Sequence, residues 1–222
     1  MVRDGYPYVI VPLVLAIILF ALGFWYAAIP FLIVATFMAY FFRDPHRIIP
    51  SEPNIIVSPA DGRVTRVCKL LPDALDSPNV VSIFLSPLDV HINRSPIAGR
   101  ITDITFTKGK FLMATKEAAS LVNEQNALTI EGTETTLVCK QIAGVLARRI
   151  VCWKKAGDEV SLGERFGMIK FSSRTDLILP QNVSLEVSVG DRVRGGLTII
   201  GRIGTAVGPA EATSVEALNS GF

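Results

Sequence analysis

Hydrophobic and polar positions divide the chain into two regimes. Between Asp4 and Arg43 no residue carries a formal charge, an interval of 38 residues. A single helix crosses a bilayer with ~20 residues, so this run predicts two short spans rather than one. Gly23 and Pro30 are the natural places for a turn or kink, which puts the helices over 8–22 and 25–42. A cleaved signal peptide would have a shorter apolar core and a small-residue cleavage site. Here the run continues into Phe37-Met38-Ala39-Tyr40-Phe41-Phe42. Arg3 lies at one end and Arg43 and Arg47 at the other, so the positive-inside rule places both ends in the cytoplasm. Tyr6, Tyr8, Trp25, Tyr26 and Tyr40 suit interfacial positions.

After Pro50 the pattern changes to short alternating runs broken by Gly, Pro and Asp, the signature of strands and tight turns. The region is also written twice. Ser58-Pro59-Ala60-Asp61-Gly62-Arg63-Val64-Thr65 is echoed by Ser95-Pro96-Ile97-Ala98-Gly99-Arg100-Ile101-Thr102. Gly157-Asp158-Glu159-Val160 is echoed by Gly190-Asp191-Arg192-Val193. Two copies of each element predict interleaved β-hairpins closing a barrel-like sandwich whose edges are covered. The expected fold is mainly β with a helical membrane hairpin and a duplicated barrel-sandwich hybrid-like domain carrying one or two short helices. The division is an anchor over 1–47, a β-rich catalytic domain over 48–204 and a loosely ordered tail over 205–222. One helix is expected near 116–123, and 140–149 reads as an extended strand.

Composition narrows the classes of function. The chain has 222 residues, half of them hydrophobic, and a net charge of +2. So small a charge, with no nucleic-acid-binding motif, argues against nucleic acid as a partner. The basic residues Arg148, Arg149, Lys154 and Lys155 around Trp153 are either a solvated face or a contact with anionic lipid. Three cysteines without CxxC spacing read as reduced thiols, and two histidines without a Cys/His cluster argue against zinc.

Candidate chemistry rests on few residues. Asp61 sits in an Asp-Gly turn, yet the second copy of the repeat has Ala98 there, so the turn itself does not require a carboxylate. His91 follows a strand-like run at a Pro-bounded loop end and is the best candidate for a base near neutral pH. Ser172 and Ser173 form a pair between two apolar runs; alone they are better explained by a turn. Asp61, His91 and a serine would be the parts of a nucleophilic constellation. There is no Gly-x-Ser-x-Gly elbow and no nucleotide-binding glycine loop.

Several motifs taken together resemble the phosphatidylserine decarboxylase family in its short, membrane-anchored prokaryotic form. They are Phe42-Arg43-Asp44-Pro45-His46-Arg47, Ser58-Pro59-Ala60-Asp61-Gly62, Ser86-Pro87-Leu88-Asp89-Val90-His91-Ile92-Asn93-Arg94, Asn123-Glu124-Gln125-Asn126, Gln141-Ile142-Ala143-Gly144, Ala147-Arg148-Arg149 and Arg165-Phe166-Gly167-Met168-Ile169. The resemblance implies decarboxylation of phosphatidylserine to phosphatidylethanolamine by a self-processing enzyme at the cell (inner) membrane. Ser173 would attack the preceding carbonyl, the chain would break between Ser172 and Ser173, and Ser173 would become a pyruvoyl cofactor. Asp61 and His91 would be the orienting acid and the base. The implied partners are the phospholipid substrate and the membrane. The processed α and β chains would stay associated, and a homo-dimer is left open. Where the family usually has Gly before the nucleophile this chain has Ser172, and where longer members have a second His it has Arg94. A non-enzymatic anchored carrier-like barrel or adaptor, or a decarboxylase of a related serine phospholipid, shares many of the same features.

Overall fold

The computed structural model describes residues 1–71, 74, 77–113, 119–145, 149–171 and 173–204. The expected tail and Ser172 therefore lie outside the described residues, as do parts of the predicted 116–123 helix and 140–149 strand. The uncharged run forms two antiparallel helices, α1 (Tyr6–Ala21) and α2 (Trp25–Phe41). They turn at Gly23, whose φ of +83° is favourable for glycine alone, while Pro30 lies inside α2. With the preceding 3-10 turn, the first helical stretch, Arg3–Ala21, is long and apolar enough to cross a membrane; α2 is apolar but shorter. Ile17, Phe20, Ile33 and other apolar side chains stand exposed along both helices.

The remainder is built from strands β1 (Ile55–Val57), β2 (Gly62–Lys69), β3 (Asn79–Leu85), β4 (Ile92–Arg94) and β5 (Gly99–Thr107). After the short helix α3 (Ala119–Val122) come β6 (Gln125–Glu131), β7 (Thr136–Ala143), β8 (Arg149–Cys152), β9 (Glu159–Val160) and β10 (Arg165–Lys170). The last four are β11 (Ser173–Leu179), β12 (Val183–Leu185), β13 (Arg192–Val193) and β14 (Ile199–Ile203). A curled eight-stranded sheet runs β13-β2-β3-β11-β7-β6-β5-β9, and two three-stranded sheets, β1-β14-β12 and β4-β10-β8, accompany it. Inward positions alternate along the strands, as β2 and β6 show, and fill one core with Val64, Val81, Ile83, Ile101, Leu128, Ile130 and Phe166. The large sheet ends in strands of only two residues, which limits its exposed edges.

The written-twice sequence becomes a structural duplication in which the copies exchange partners. Ser58 Oγ donates to the Ala60 carbonyl at 2.7 Å, and Ser95 Oγ donates to that of Ile97 at 2.6 Å. The first Ser-Pro copy binds the second Gly-Asp turn: Val64 N–H reaches Asp191 O at 2.9 Å, and Gly196 N–H reaches Ser58 O at 2.7 Å. The second copy binds the first turn in the same way, through Ile101 to Asp158 at 2.9 Å and Gly163 to Ser95 at 2.8 Å. This crossing ties residues 58–104 to residues 157–196, so neither half closes without the other.

At Gly99 the backbone approaches so closely that a Cβ would lie 2.2 Å from the Glu131 carbonyl oxygen. Gly99→Ala is expected to destabilise the protein by about 1–3 kcal/mol through this overlap, measured by denaturant unfolding of the full chain in detergent.

Candidate active site

His91 lies one residue before β4 and is fully buried. The ring of Phe41, at the last residue of α2, covers it with centroids 4.2 Å apart. Its Nδ1 sits 3.0 Å from the Asp89 carbonyl oxygen. A carbonyl can only accept, so in the neutral ring Nδ1 carries the proton and Nε2 holds the lone pair. Nε2 is buried and has no hydrogen-bond partner among the described residues. Burial disfavours the imidazolium and pulls the pKa down to about 4, against the opposing pull of the Asp89 carbonyl and carboxylate. His91 is therefore a neutral base at ordinary pH, with its free electron pair in a dry site.

Ser173 opens β11, the strand that lies between β3 and β7, and pairs in register with Leu85 and Ala143. It is fully buried, and its Oγ likewise has no hydrogen-bond partner among the described residues. A buried hydroxyl without a partner costs about 1–3 kcal/mol, a cost that functional groups tolerate more often than structural ones.

Three contacts bring His91 to the segment holding Ser173. The amide of Ile169 donates to His91 O at 3.3 Å. Phe41, stacked on His91, also stacks on Phe171 with centroids 4.6 Å apart. Asn93 Nδ2 donates to Thr175 Oγ1 at 3.0 Å, fastening the residue two beyond His91 to the residue two beyond Ser173. The Asn93 bond continues as a buried chain, with Gln141 Nε2 donating to Asn93 Oδ1 at 2.9 Å and Asn126 Nδ2 to Gln141 Oε1 at 3.0 Å. Because strand side chains alternate faces, residues two apart share one. Phe171, just before Ser172, has φ +65°, a left-handed conformation that is strained for a bulky side chain.

Asp61 has a different set of partners from the one its candidacy suggested. Its carboxylate accepts two bonds from the Arg47 guanidinium, at 2.6 and 2.7 Å, and one from the Gly195 amide at 2.8 Å. It reaches His91 only through space, where its charge slightly raises the imidazole pKa; the ring's orienting bond comes from the Asp89 carbonyl. Arg94 donates to Gly163 O at 3.0 Å and to Asp44 at 3.3 Å. Asp44 also accepts from Arg165. The segment after α2 is thus strapped to the β body by Asp44 and Arg47. Phe41, Arg47, Asn93 and Thr175 escaped the sequence reading as site residues. For Asn93 and Thr175 the available signal was spacing by two from His91 and from Ser173; for Phe41 and Arg47 there was none of that kind.

Beside this centre opens a cleft of about 590 Å³ lined by Tyr40, Arg43, Asp61, Ser86, Asp89 and Arg194 among others. A strand-built site with a buried serine, a neutral imidazole and a cleft rich in arginine is chemically able to hold an anionic ligand and to move a proton. The sequence model of the family described as phosphatidylserine decarboxylase matches residues 34–201. A phosphatidylserine decarboxylase proenzyme of Geotalea uraniireducens (strain Rf4) is 44% identical over 200 residues, covering 89% of this chain and 94% of that protein. The Solibacter usitatus (strain Ellin6076) proenzyme is 49% identical over 175 residues, covering 79% and 83%. That of Chlorobium phaeobacteroides (strain BS1) is 44% identical over 171 residues, covering 77% and 80%. The chain belongs to the phosphatidylserine decarboxylase family and is a carboxy-lyase.

The lowered His91 pKa sets a pH dependence. The folded pKa lies below the unfolded value of about 6.5, so the unfolded chain binds more protons between the two. Stability is therefore expected to fall as pH drops from about 6.5 to about 4, by up to about 3 kcal/mol from this group. His91→Gln should flatten that slope, read from unfolding free energies at several pH values.

Proposed function

We propose that this chain decarboxylates phosphatidylserine to phosphatidylethanolamine with a pyruvoyl group that it makes from its own Ser173. The observation that supports the reading is that Ser173 Oγ and His91 Nε2 are both buried without a hydrogen-bond partner among the described residues, on segments joined by the Phe41 stacks on His91 and Phe171 and by the Asn93–Thr175 bond. Neutral His91 takes the Ser173 hydroxyl proton through Nε2 while Nδ1–H stays on the Asp89 carbonyl. Ser173 Oγ adds to the carbonyl carbon of Ser172, and the amide linkage is exchanged for an ester. Loss of the Ser173 α-proton then expels the Ser172 carboxylate and leaves an enamine at residue 173. Its imine tautomer takes up one water and releases one ammonia, giving the ketone. The strained φ at Phe171 favours a reaction that breaks the chain one residue on.

The residues fit such a group, since the precursor hydroxyl is fully buried and has no hydrogen-bond partner among the described residues. The pyruvoyl carbonyl supplies an electron sink for the headgroup's amine-bearing carbon, a role no ordinary side chain fills. Around it, Phe41 excludes water, Asn93 and Thr175 hold the two strands together, and His91 is the proposed donor of the proton that replaces carbon dioxide. Asp61 acts through Arg47, which pins the segment after α2 over the site. The α chain, 173–222, stays bound to the β chain, 1–172, because β11 is paired on both sides, with β3 and with β7. The helices anchor the enzyme in the cell membrane with the β domain on its cytoplasmic face, where the headgroup is presented.

A denaturing gel and intact mass of the purified protein test this reading. The expected result is two chains divided after Ser172, the smaller beginning with a ketone instead of an amine. Ser173→Ala should leave one full-length chain without decarboxylase activity. A wild-type protein isolated as one chain with unmodified Ser173 overturns the proposal.

A further inference from the structure

Two neighbouring cavities share one residue. Tyr40 lines the cationic cleft beside His91 and also one end of an apolar groove of about 530 Å³ on α2, formed by Ile29, Leu32, Ile33, Thr36 and Phe37. The spacing 29, 32, 33, 36, 37, 40 is a single stripe of an α-helix. Eleven residues of helix rise about 16 Å, close to the ~15 Å of one leaflet's hydrocarbon. An apolar track of leaflet length thus ends at the mouth of the polar cleft.

The cleft itself has an excess of positive charge. Of its two carboxylates, Asp89 is paired with Arg192 at 3.0 Å and Asp61 with Arg47. Arg43 is held on the carbonyls of Tyr40 and Leu88, at 2.9 and 2.7 Å, with its guanidinium 3.8 Å from the Tyr40 ring centroid. Neither Arg43 nor Arg194 has a carboxylate partner among the described residues, and both face the cleft. Two uncompensated guanidiniums fit an anionic headgroup. Asp89, which lines the cleft, holds the His91 ring through its carbonyl, and Ser86, also on the cleft wall, directly follows Leu85, the residue paired with Ser173.

We propose that the α2 groove is the acyl-chain subsite. One chain of the phospholipid lies along the stripe from Ile29 to Phe37, the glycerol turns at Tyr40, and the phosphodiester is held by Arg43 and Arg194. This inference rests on the decarboxylase reading above and extends it. The substrate is taken edgewise from the bilayer without leaving its leaflet, and selection acts on the chain as well as on the headgroup. The groove is thereby a specificity-determining site separate from the reacting groups.

The test compares two substrates with the full-length enzyme in detergent: long-chain phosphatidylserine, and glycerophosphoserine, which keeps the headgroup but has no acyl chain. Ile33→Trp, which fills the groove, should lower the ratio of kcat/KM for lipid over glycerophosphoserine by about tenfold or more. Val34→Trp, on the same helix but outside the stripe, should leave that ratio unchanged. Arg194→Gln should raise KM for both substrates with a smaller effect on kcat. In parallel, phosphatidylserine with a photoreactive group on its acyl chain should cross-link to residues 29–40 when mapped by mass spectrometry. An Ile33→Trp ratio equal to wild type, an equal loss in Val34→Trp, or cross-links outside this stripe overturns the proposal. A wild type that turns over neither substrate overturns the decarboxylase reading instead. The cross-link map, made on Ser173→Ala protein, then still decides the groove.

Discussion

The exclusion of water from one imidazole is the constraint on which the rest of the molecule depends. A neutral histidine that keeps its pKa near 4 has to be sealed on every side, yet its reactive nitrogen has to stay unpaired. The β body supplies most of that enclosure, and Phe41 from the end of α2 closes it. Phe41 and Phe42 pack with Val90, Ile92 and Met168 in a small core distinct from that of the sheets. The helix that reads as a membrane element is thus also part of the site's wall.

That wall has to be held in place, and the duplication provides the frame. Each Ser-Pro turn is bonded to the Gly-Asp turn of the other half, so loops distant in sequence share one set of backbone hydrogen bonds. The two halves are unequal where chemistry is needed. Ala98 leaves its position in the second turn without a carboxylate, whereas Asp61 in the first captures Arg47. Arg94 and Arg165 capture Asp44 in turn. These charges lie between the helical hairpin and the sheets, and they fix the segment 43–47 that carries Phe41 to His91. Burial makes the Arg47–Asp61 and Arg94–Asp44 pairs costly to break from one side.

A chain cut within its central sheet would ordinarily be at risk of falling apart. Here the residue proposed to become the new terminus begins β11, one of the two central strands of the sheet, which is hydrogen-bonded along both edges. The proposed cleavage just before it would remove one covalent bond and leave the pairings of β11 itself in place. The strained Phe171, stacked on Phe41, lies on the other side of the break. Strain before the proposed break and rigid pairing after it would let a processed chain relax without loosening the site.

Much of this was readable from one dimension. The uncharged interval from Gly5 to Phe42, the turn at Gly23, the β-rich body and its duplication all follow from local composition and period, since these reflect short-range sterics and the aversion of apolar groups to water. The ordered motifs around Asp61, His91 and Ser173 pointed to the family that the comparisons show. What the sequence could not determine is who touches whom across the fold. That Asp61 meets Arg47, that an aromatic residue 50 positions before His91 covers it, and that Asn93 joins Thr175 across 82 positions are products of packing. So is the burial of Ser173 Oγ and His91 Nε2 without a partner among the described residues, because desolvation depends on every neighbour at once and is written in no single stretch of chain.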